Sequence, residues 1–222
     1  MGDEGRAGYH HGDLERALVD EAFEQIRRDG AGRFSLRAAA RAVGVDAAAA
    51  YRHFANKQAL LAAVGSRAFS HLAQRMEAAT ADLTDPVARF TAVGHAYVGF
   101  AVDEPALFRM VFGPRSEPAR GTGDGGLDPY EILMASLVEL ADGGALRGTP
   151  EEAALPAWAA VHGLAHLAID GRVEAGAVQD ATAGVIAALL EGLLQSTEAR
   201  IPRPEPEPGA EPEPEPEPEE EP

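Results

Sequence analysis

The sequence has no cysteine, which excludes disulfide bonds, thiolate zinc sites and a cysteine nucleophile. It also lacks any apolar run near the roughly 18 residues needed to cross a bilayer. The first twelve residues are polar and do not resemble a signal peptide. Taken together, these absences predict a soluble, cytoplasmic protein.

Positive charge is scarce, with 19 Lys and Arg against 36 Asp and Glu, and the net charge is −17. Its distribution matters more than its total, because phosphate responds to the field within about 10 Å at 0.1 M salt. Residues 203–222 carry nine glutamates and one arginine, a net −8. Between Arg33 and Lys57, five basic residues face the single acid Asp46, a net +4. An acidic chain therefore contains a cationic region.

Helical periodicity runs along most of the chain, and no segment combines period-two alternation with β-branched residues at strand length. Asp13 is a suitable N-cap for a first helix that ends at Gly30. We therefore predict an all-α protein of about nine helices. After the first, they are expected at Leu36–Ala42, Ala47–His53, Lys57–Ala79, Pro86–Val102, Pro105–Phe112, Pro129–Ala141, Pro150–Asp170 and Val178–Ala199.

Two short helices around a tight turn form the most informative segment. Ser35 and Asp46 are suited to cap them, and Gly44 permits the positive φ of a sharp turn. This arrangement predicts a helix-turn-helix whose second helix enters the major groove of DNA, with Arg52 on its free face. Arg37 and Arg41 lie on the first helix, which would cross the phosphate backbone.

Several short motifs resemble the tetracycline-repressor (TetR) family over about residues 9–65. They are His11-Gly-Asp-Leu14, Phe34-Ser-Leu-Arg37, Gly44-Val45, Tyr51-Arg-His-Phe54 and Lys57 with Leu60-Leu61. The resemblance implies a homodimer of all-helical subunits that bind double-stranded DNA with their first three helices. It also implies phosphate contacts by Ser35, Arg37, Tyr51, His53 and Lys57. The base-reading positions that it implies are Ala47, Ala48 and Ala49.

The implied recognition helix is unusually rich in alanine. Alanine can contact a thymine methyl group but cannot make a bidentate hydrogen bond to a base. We therefore expect specificity from Arg52, from the first helix of the pair and from DNA shape, on a palindromic operator. The expected organisation is a DNA-binding domain over 1–55 with an arm at 1–11, a ligand-binding and dimerisation domain over 56–200, and a disordered Pro-Glu tail over 201–222.

A second motif, from Trp158 through His162 and Gly163 to Leu167, is similar to the C-terminal domain of the TetR subgroup named for Trp, His and Gly. Trp158, His162 and His166 recur every fourth residue and share one helical stripe. Two such histidines can bind zinc, but zinc needs further ligands, and His95 is the only other central candidate. We therefore favour polar groups in a pocket or core, and predict no metal site.

An apolar pocket is expected among the aromatic and methionine residues of this half, most of which would simply pack the core. The candidates are Tyr97, Phe100, Phe108, Phe112, Met134, Trp158, His162 and His166. We predict no cofactor, but a small apolar or amphipathic effector in that pocket. The last two long helices are rich in small residues, which suits a dimer interface.

The function that we predict is that of a homodimeric repressor, released from its palindromic operator by a small-molecule ligand. The next alternative in the same class is a regulator without an inducer, or an activator. A helical enzyme would have only His95, His162 and His166 as acid–base groups, and we find no nucleophile motif, phosphate loop or paired carboxylates, so no catalytic residue is predicted. A third alternative is an interaction protein in which the acidic tail is the active part, rather than a solubilising extension.

The tail hypothesis has a direct test. If the tail competes with DNA for the cationic region, deleting residues 203–222 should tighten non-specific DNA binding at low salt and steepen its salt dependence. Fluorescence anisotropy with a random duplex over a salt series measures both quantities. Unchanged binding would leave the tail a solubilising role only.

Overall fold

The computed structural model describes residues 11–113 and 128–194, and side chains from residue 13 onward. Within these ranges the chain forms nine α-helices, one short 3-10 helix and no strand, which confirms the all-α prediction. The helices are α1 (His11–Asp29), α2 (Leu36–Ala42), α3 (Ala47–His53), α4 (Lys57–Thr80), α5 (Pro86–Asp103), α6 (Pro105–Phe112), α7 (Pro129–Asp142), α8 (Pro150–Ile169) and α9 (Val178–Leu193). The acidic tail and most of the N-terminal arm lie outside the described residues.

Two helix ends differ from the sequence prediction by more than one residue. Helix α1 begins at His11, so Asp13 lies in its first turn and is not its N-cap. Helix α9 ends at Leu193, short of the predicted Ala199, because Leu194 is extended. The Leu193 carbonyl accepts a hydrogen bond of 2.6 Å from the backbone N–H of Arg147, in the α7–α8 loop. A tertiary contact therefore stops the helix.

Side-chain caps fix most of the other helix starts. Asp46 accepts a hydrogen bond of 2.7 Å from the Ala49 N–H, and Asn56 accepts one of 2.9 Å from the Ala59 N–H. Ser35, which we expected to cap α2, makes no side-chain cap bond. The start of α2 is stabilised instead by backbone hydrogen bonds to the Ser35 carbonyl, and burial of its apolar side stabilises the short helix.

The helix-turn-helix is compact because its contact residues are small. Ala39, Ala40 and Ala50 are fully buried where α2 and α3 meet. Gly44 has a φ of 79° in the turn between them, a conformation that disfavours any residue with a Cβ. Helices α2 and α3 both pack against α1, and α1 packs in turn against α4 and α6.

Helix α5 is the centre of the larger helical body and packs against α4, α6, α7, α8 and α9. Gly94 lets α9 approach it closely, since a Cβ there would lie 2.8 Å from the Ile186 side chain. Arg89 joins the ends of three helices: it donates to Glu139 of α7 and to the carbonyls of Thr80 and Leu83. None of the described helices is both long and apolar enough to cross a bilayer.

The contrast between the two predicted caps of the helix-turn-helix gives a stability test. Replacing Asp46 with Ala should lower the free energy of unfolding by about 1 kcal/mol, because the Ala49 N–H loses its acceptor. Replacing Ser35 with Ala should change it by only a few tenths of that amount, because its hydroxyl caps nothing. Urea denaturation measures both values, and equal losses would contradict the assignment.

Candidate functional site

The exposed surface of the helix-turn-helix carries unneutralised positive charge. Arg33, Arg37, Arg41 and Arg52 are exposed and hold no ion pair with any residue that the structure describes. The arginines that do hold ion pairs lie elsewhere, on α1, α4, α5 and α6: Arg27, Arg28, Arg67, Arg75, Arg89 and Arg109. The free arginines are therefore available to phosphate, and we call them the cationic face.

Only part of α3 can reach a base. Ala48, Tyr51 and Arg52 are exposed and Ala47 is half-buried. Ala49 is only 7% exposed, and its Cβ packs inward on the core. Our expectation that Ala49 reads a base does not agree with this burial. The candidates for base contact are therefore reduced to Ala47, Ala48 and Arg52, with Tyr51 at the edge.

Lys57 lies half-buried at the start of α4 and has a structural task in the free protein. Its ammonium donates hydrogen bonds of 2.7 Å to the Phe34 carbonyl and 3.4 Å to the Ala31 carbonyl. It also lies 5.7 Å from the centroid of the Phe34 ring. Because an ammonium group has three N–H donors, one remains for the expected phosphate contact. Lys57 ties α4 to the loop that precedes α2.

The remaining predicted contacts have different surroundings. Ser35 is exposed, and its hydroxyl makes none of the cap bonds expected of it. His53 is half-buried, with Nδ1 4.0 Å from the Glu15 carboxylate on α1. Arg33 was not among the predicted contacts, although its charge was visible, because a loop residue between two helices follows no periodic pattern.

A cavity of about 890 Å³ lies in the helical body. Four of the predicted pocket residues line it: Tyr97, Phe112, Trp158 and His162. The other described lining residues are Phe69, Met76, Phe90, Val93, Gly94, Val111, Asp128, Pro129, Tyr130, Leu133, Leu155, Ala157, Val161, Ile186 and Leu189. The walls are thus mostly apolar, with aromatic rings on several sides.

The other four predicted pocket residues do not line the cavity. Phe100 and Phe108 are core residues, 1% and 0% exposed. Met134 and His166 are half-buried but are not among the described residues of the cavity wall. Phe108 and His166 nevertheless contact the His162 ring, with centroids 5.6 and 4.7 Å away. They support the wall from behind.

Three polar groups in the cavity wall form one hydrogen-bonded chain. The Trp158 indole N–H donates to the Tyr97 hydroxyl oxygen at 3.3 Å, and that oxygen lies 2.8 Å from Nδ1 of His162. Burial raises the pKa of Tyr97 far above its usual value. Burial lowers the pKa of His162, and the neighbouring His166 lowers it further. The cluster is therefore uncharged near neutral pH.

Two family models match the chain. One, described as bacterial regulatory proteins of the tetR family, covers residues 18–64, and the other, a tetracyclin repressor-like C-terminal domain, covers residues 90–197. The chain belongs to the TetR family. The first match spans α2, α3 and the cationic face, and the second spans most of the cavity wall. This TetR-family protein is accordingly a DNA-binding transcriptional regulator.

Solved structures of similar fold extend over most of the chain. A protein of unknown function from Rhodococcus sp. RHA1 is 30% identical, with a TM-score of 0.72 over 86% of this chain and 100% of that one. A transcriptional regulator from Saccharomonospora viridis, in complex with choline, is 17% identical, with a TM-score of 0.67 over 83% and 100%. FadR from Bacillus subtilis, in complex with stearoyl-CoA, is 16% identical, with a TM-score of 0.63 over 80% and 98%. No curated protein matches the sequence significantly.

The different surroundings of the basic residues predict different mutant phenotypes. Log affinity falls as log salt rises, and replacing Arg37 or Arg41 with Gln should make this fall less steep, by about 1 in the slope for each phosphate that is no longer bound. The free energy of unfolding should stay unchanged. Lys57→Gln should also lower the unfolding midpoint, because it frees the Phe34 carbonyl. Anisotropy titrations and urea denaturation measure these effects.

Arg172 provides a matched control, since it is exposed in the α8–α9 loop, outside the cationic face. Arg172→Gln should leave the salt slope unchanged. If it lowered the slope as much as Arg37→Gln does, DNA binding would depend on total charge and the cationic face would have no special role.

Proposed function

We propose that this protein is a homodimeric repressor that leaves a palindromic operator when a small molecule enters the cavity. The observation that carries the proposal is the occurrence, in one subunit, of the cationic face and a cavity of about 890 Å³ with mostly apolar walls. That volume falls within the roughly 300–1,000 Å³ common for small-molecule sites. A regulator without an inducer would have no use for an apolar cavity of this size.

An apolar surface on α8 and α9 supports the dimer. Leu167, on α8, is 50% exposed. Gly163 on α8 and Gly184 on α9 have nothing within 4 Å of the place where a Cβ would lie. Within the described subunit, no residue therefore packs against either glycine. The same faces of a second subunit would bury these residues in a four-helix interface.

Helix α6 connects the cavity with the DNA-binding helices. Val111 and Phe112, near its end, line the cavity. Glu104, at its start, accepts a hydrogen bond of 3.2 Å from Arg27 of α1. Since α6 also packs directly on α1, a ligand that displaces α6 would shift the helix on which the helix-turn-helix is built. Such a ligand would favour the form whose recognition helices no longer match successive major grooves.

Selection from a random DNA pool tests the operator and the dimer together. The bound sequences should share a two-fold symmetric consensus, because a symmetric dimer reads two related half-sites. Gly184→Arg should give a monomer by light scattering and weaken operator binding, because the new side chain would fill the proposed interface. Arginine also favours a helix more than glycine does, so the subunit should stay folded.

Gly176→Arg is the matched control, because Gly176 is also exposed with open space around it but lies outside α8 and α9. It should remain a dimer and keep operator affinity. An asymmetric consensus, or a Gly184→Arg protein that stays dimeric, would contradict the proposal.

A further inference from the structure

We infer that the cavity takes an uncharged, largely apolar ligand whose carbonyl or ether oxygen accepts a hydrogen bond from Nε2–H of His162. This inference rests on the proposed function only in taking the cavity as a ligand site. Three observations support this ligand class and the role of His162. They are the direction of the hydrogen bonds, the free nitrogen of the His162 ring and the charge of the cavity wall.

The direction of the hydrogen bonds follows from the donor at one end. The Trp158 indole can only donate, so the Tyr97 oxygen accepts from it. The Tyr97 proton then needs an acceptor, and among the described residues Nδ1 of His162 is the one within hydrogen-bonding distance, at 2.8 Å. Nδ1 therefore accepts, and the neutral ring carries its proton on Nε2.

The second nitrogen of His162 is available to a ligand. No side chain or carbonyl of the described residues makes a hydrogen bond with Nε2, whereas Nδ1 is occupied by Tyr97. Nε2 lacks a hydrogen bond but is not fully buried, unlike Nδ1 of His71, so it is accessible. An accessible N–H on a ring that lines the cavity is a hydrogen-bond donor for a molecule inside it.

The charge of the wall disfavours ionic ligands. No lysine or arginine is present in the described part of the lining, so an anion would lose its hydration without gaining a partner. Asp128 is the one carboxylate there, and its Oδ1 already accepts a hydrogen bond of 2.7 Å from the Tyr130 N–H as the N-cap of α7. The positive end of the α7 dipole offsets its charge.

The chain carries a built-in probe for the test, because Trp158 is its single tryptophan and lines the cavity. We would titrate the intact protein with four molecules built on similar carbon skeletons. Benzylacetone is uncharged with an acceptor, butylbenzene lacks the acceptor, phenylbutyrate is an anion and phenylbutylammonium is a cation. Tryptophan fluorescence gives each dissociation constant.

Benzylacetone should bind most tightly, about fivefold more tightly than butylbenzene, as one net hydrogen bond would give. His162→Phe should abolish this difference while butylbenzene affinity is retained. His162→Gln keeps an N–H donor and should keep part of the preference. His166→Phe, a change beside His162 but outside the described lining, should keep all of it.

The inference is overturned if either ion binds more tightly than benzylacetone, if benzylacetone and butylbenzene bind equally, or if none of the four changes the fluorescence. The relative affinities of the four molecules for the wild-type protein test the inference even if His162→Phe does not fold. Anisotropy of labelled operator DNA provides a separate readout of release. Binding that depends on His162 without release from DNA would support the ligand class and count against the proposed release.

Discussion

The packing of α1 against α4 and α6 holds the DNA-binding helices on the helical body. Leu18 and Ile26 of α1 and Leu60 of α4 are fully buried in the core that these helices share. Burying each such side chain contributes roughly 1.5–3 kcal/mol. The ion pairs across the same junction, Arg67 with Asp20 and Arg27 with Glu104, are partly exposed and contribute far less. Apolar burial therefore supplies the strength of the junction, while the ion pairs fix which residues face each other.

The distribution of ion pairs also explains how an acidic protein binds a polyanion. In the helical body, Arg75, Arg89 and Arg109 are matched by Asp103, Glu139 and Asp170. On the cationic face the arginines are not matched, so the local field is positive although the chain carries −17. Salt screens the distant acids more than it screens arginines in contact with phosphate. The charges of the cationic face therefore determine DNA binding more than the net charge of the chain does.

Most helix bounds could be predicted because their signals are local. Proline at the first position of α5, α6, α7 and α8, and caps such as Asp46 and Asn56, depend only on neighbouring residues. The end of α9 could not be predicted, since it depends on Arg147 of a distant loop. Ser35 has the right chemistry for a cap but not the required bond. A serine at this position can form a side-chain cap bond, but the sequence does not require it to do so.

The site residues divide in the same way. Arg37, Arg41 and Arg52 were predicted to be exposed on helix faces, and helical spacing alone is enough to place them there. Membership of the cavity wall depends on how several helices cross, which no spacing within one helix reveals. Phe108 and Phe112 lie one turn apart on α6, yet the first is core and the second is wall.

The proposed ligand donor and the helix proposed to respond to the ligand are neighbours in this arrangement. The His162 ring lies 5.2 Å from the ring of Phe112, centroid to centroid, and Phe112 belongs to α6. A molecule held by Nε2–H of His162 would therefore lie beside the helix that carries Glu104 at its start and, through it, contacts Arg27. Because cores are close-packed, a ligand that needs more room there must displace a helix as a unit. The ion pair between Arg27 and Glu104 links α6 to α1, so part of that displacement would reach α1.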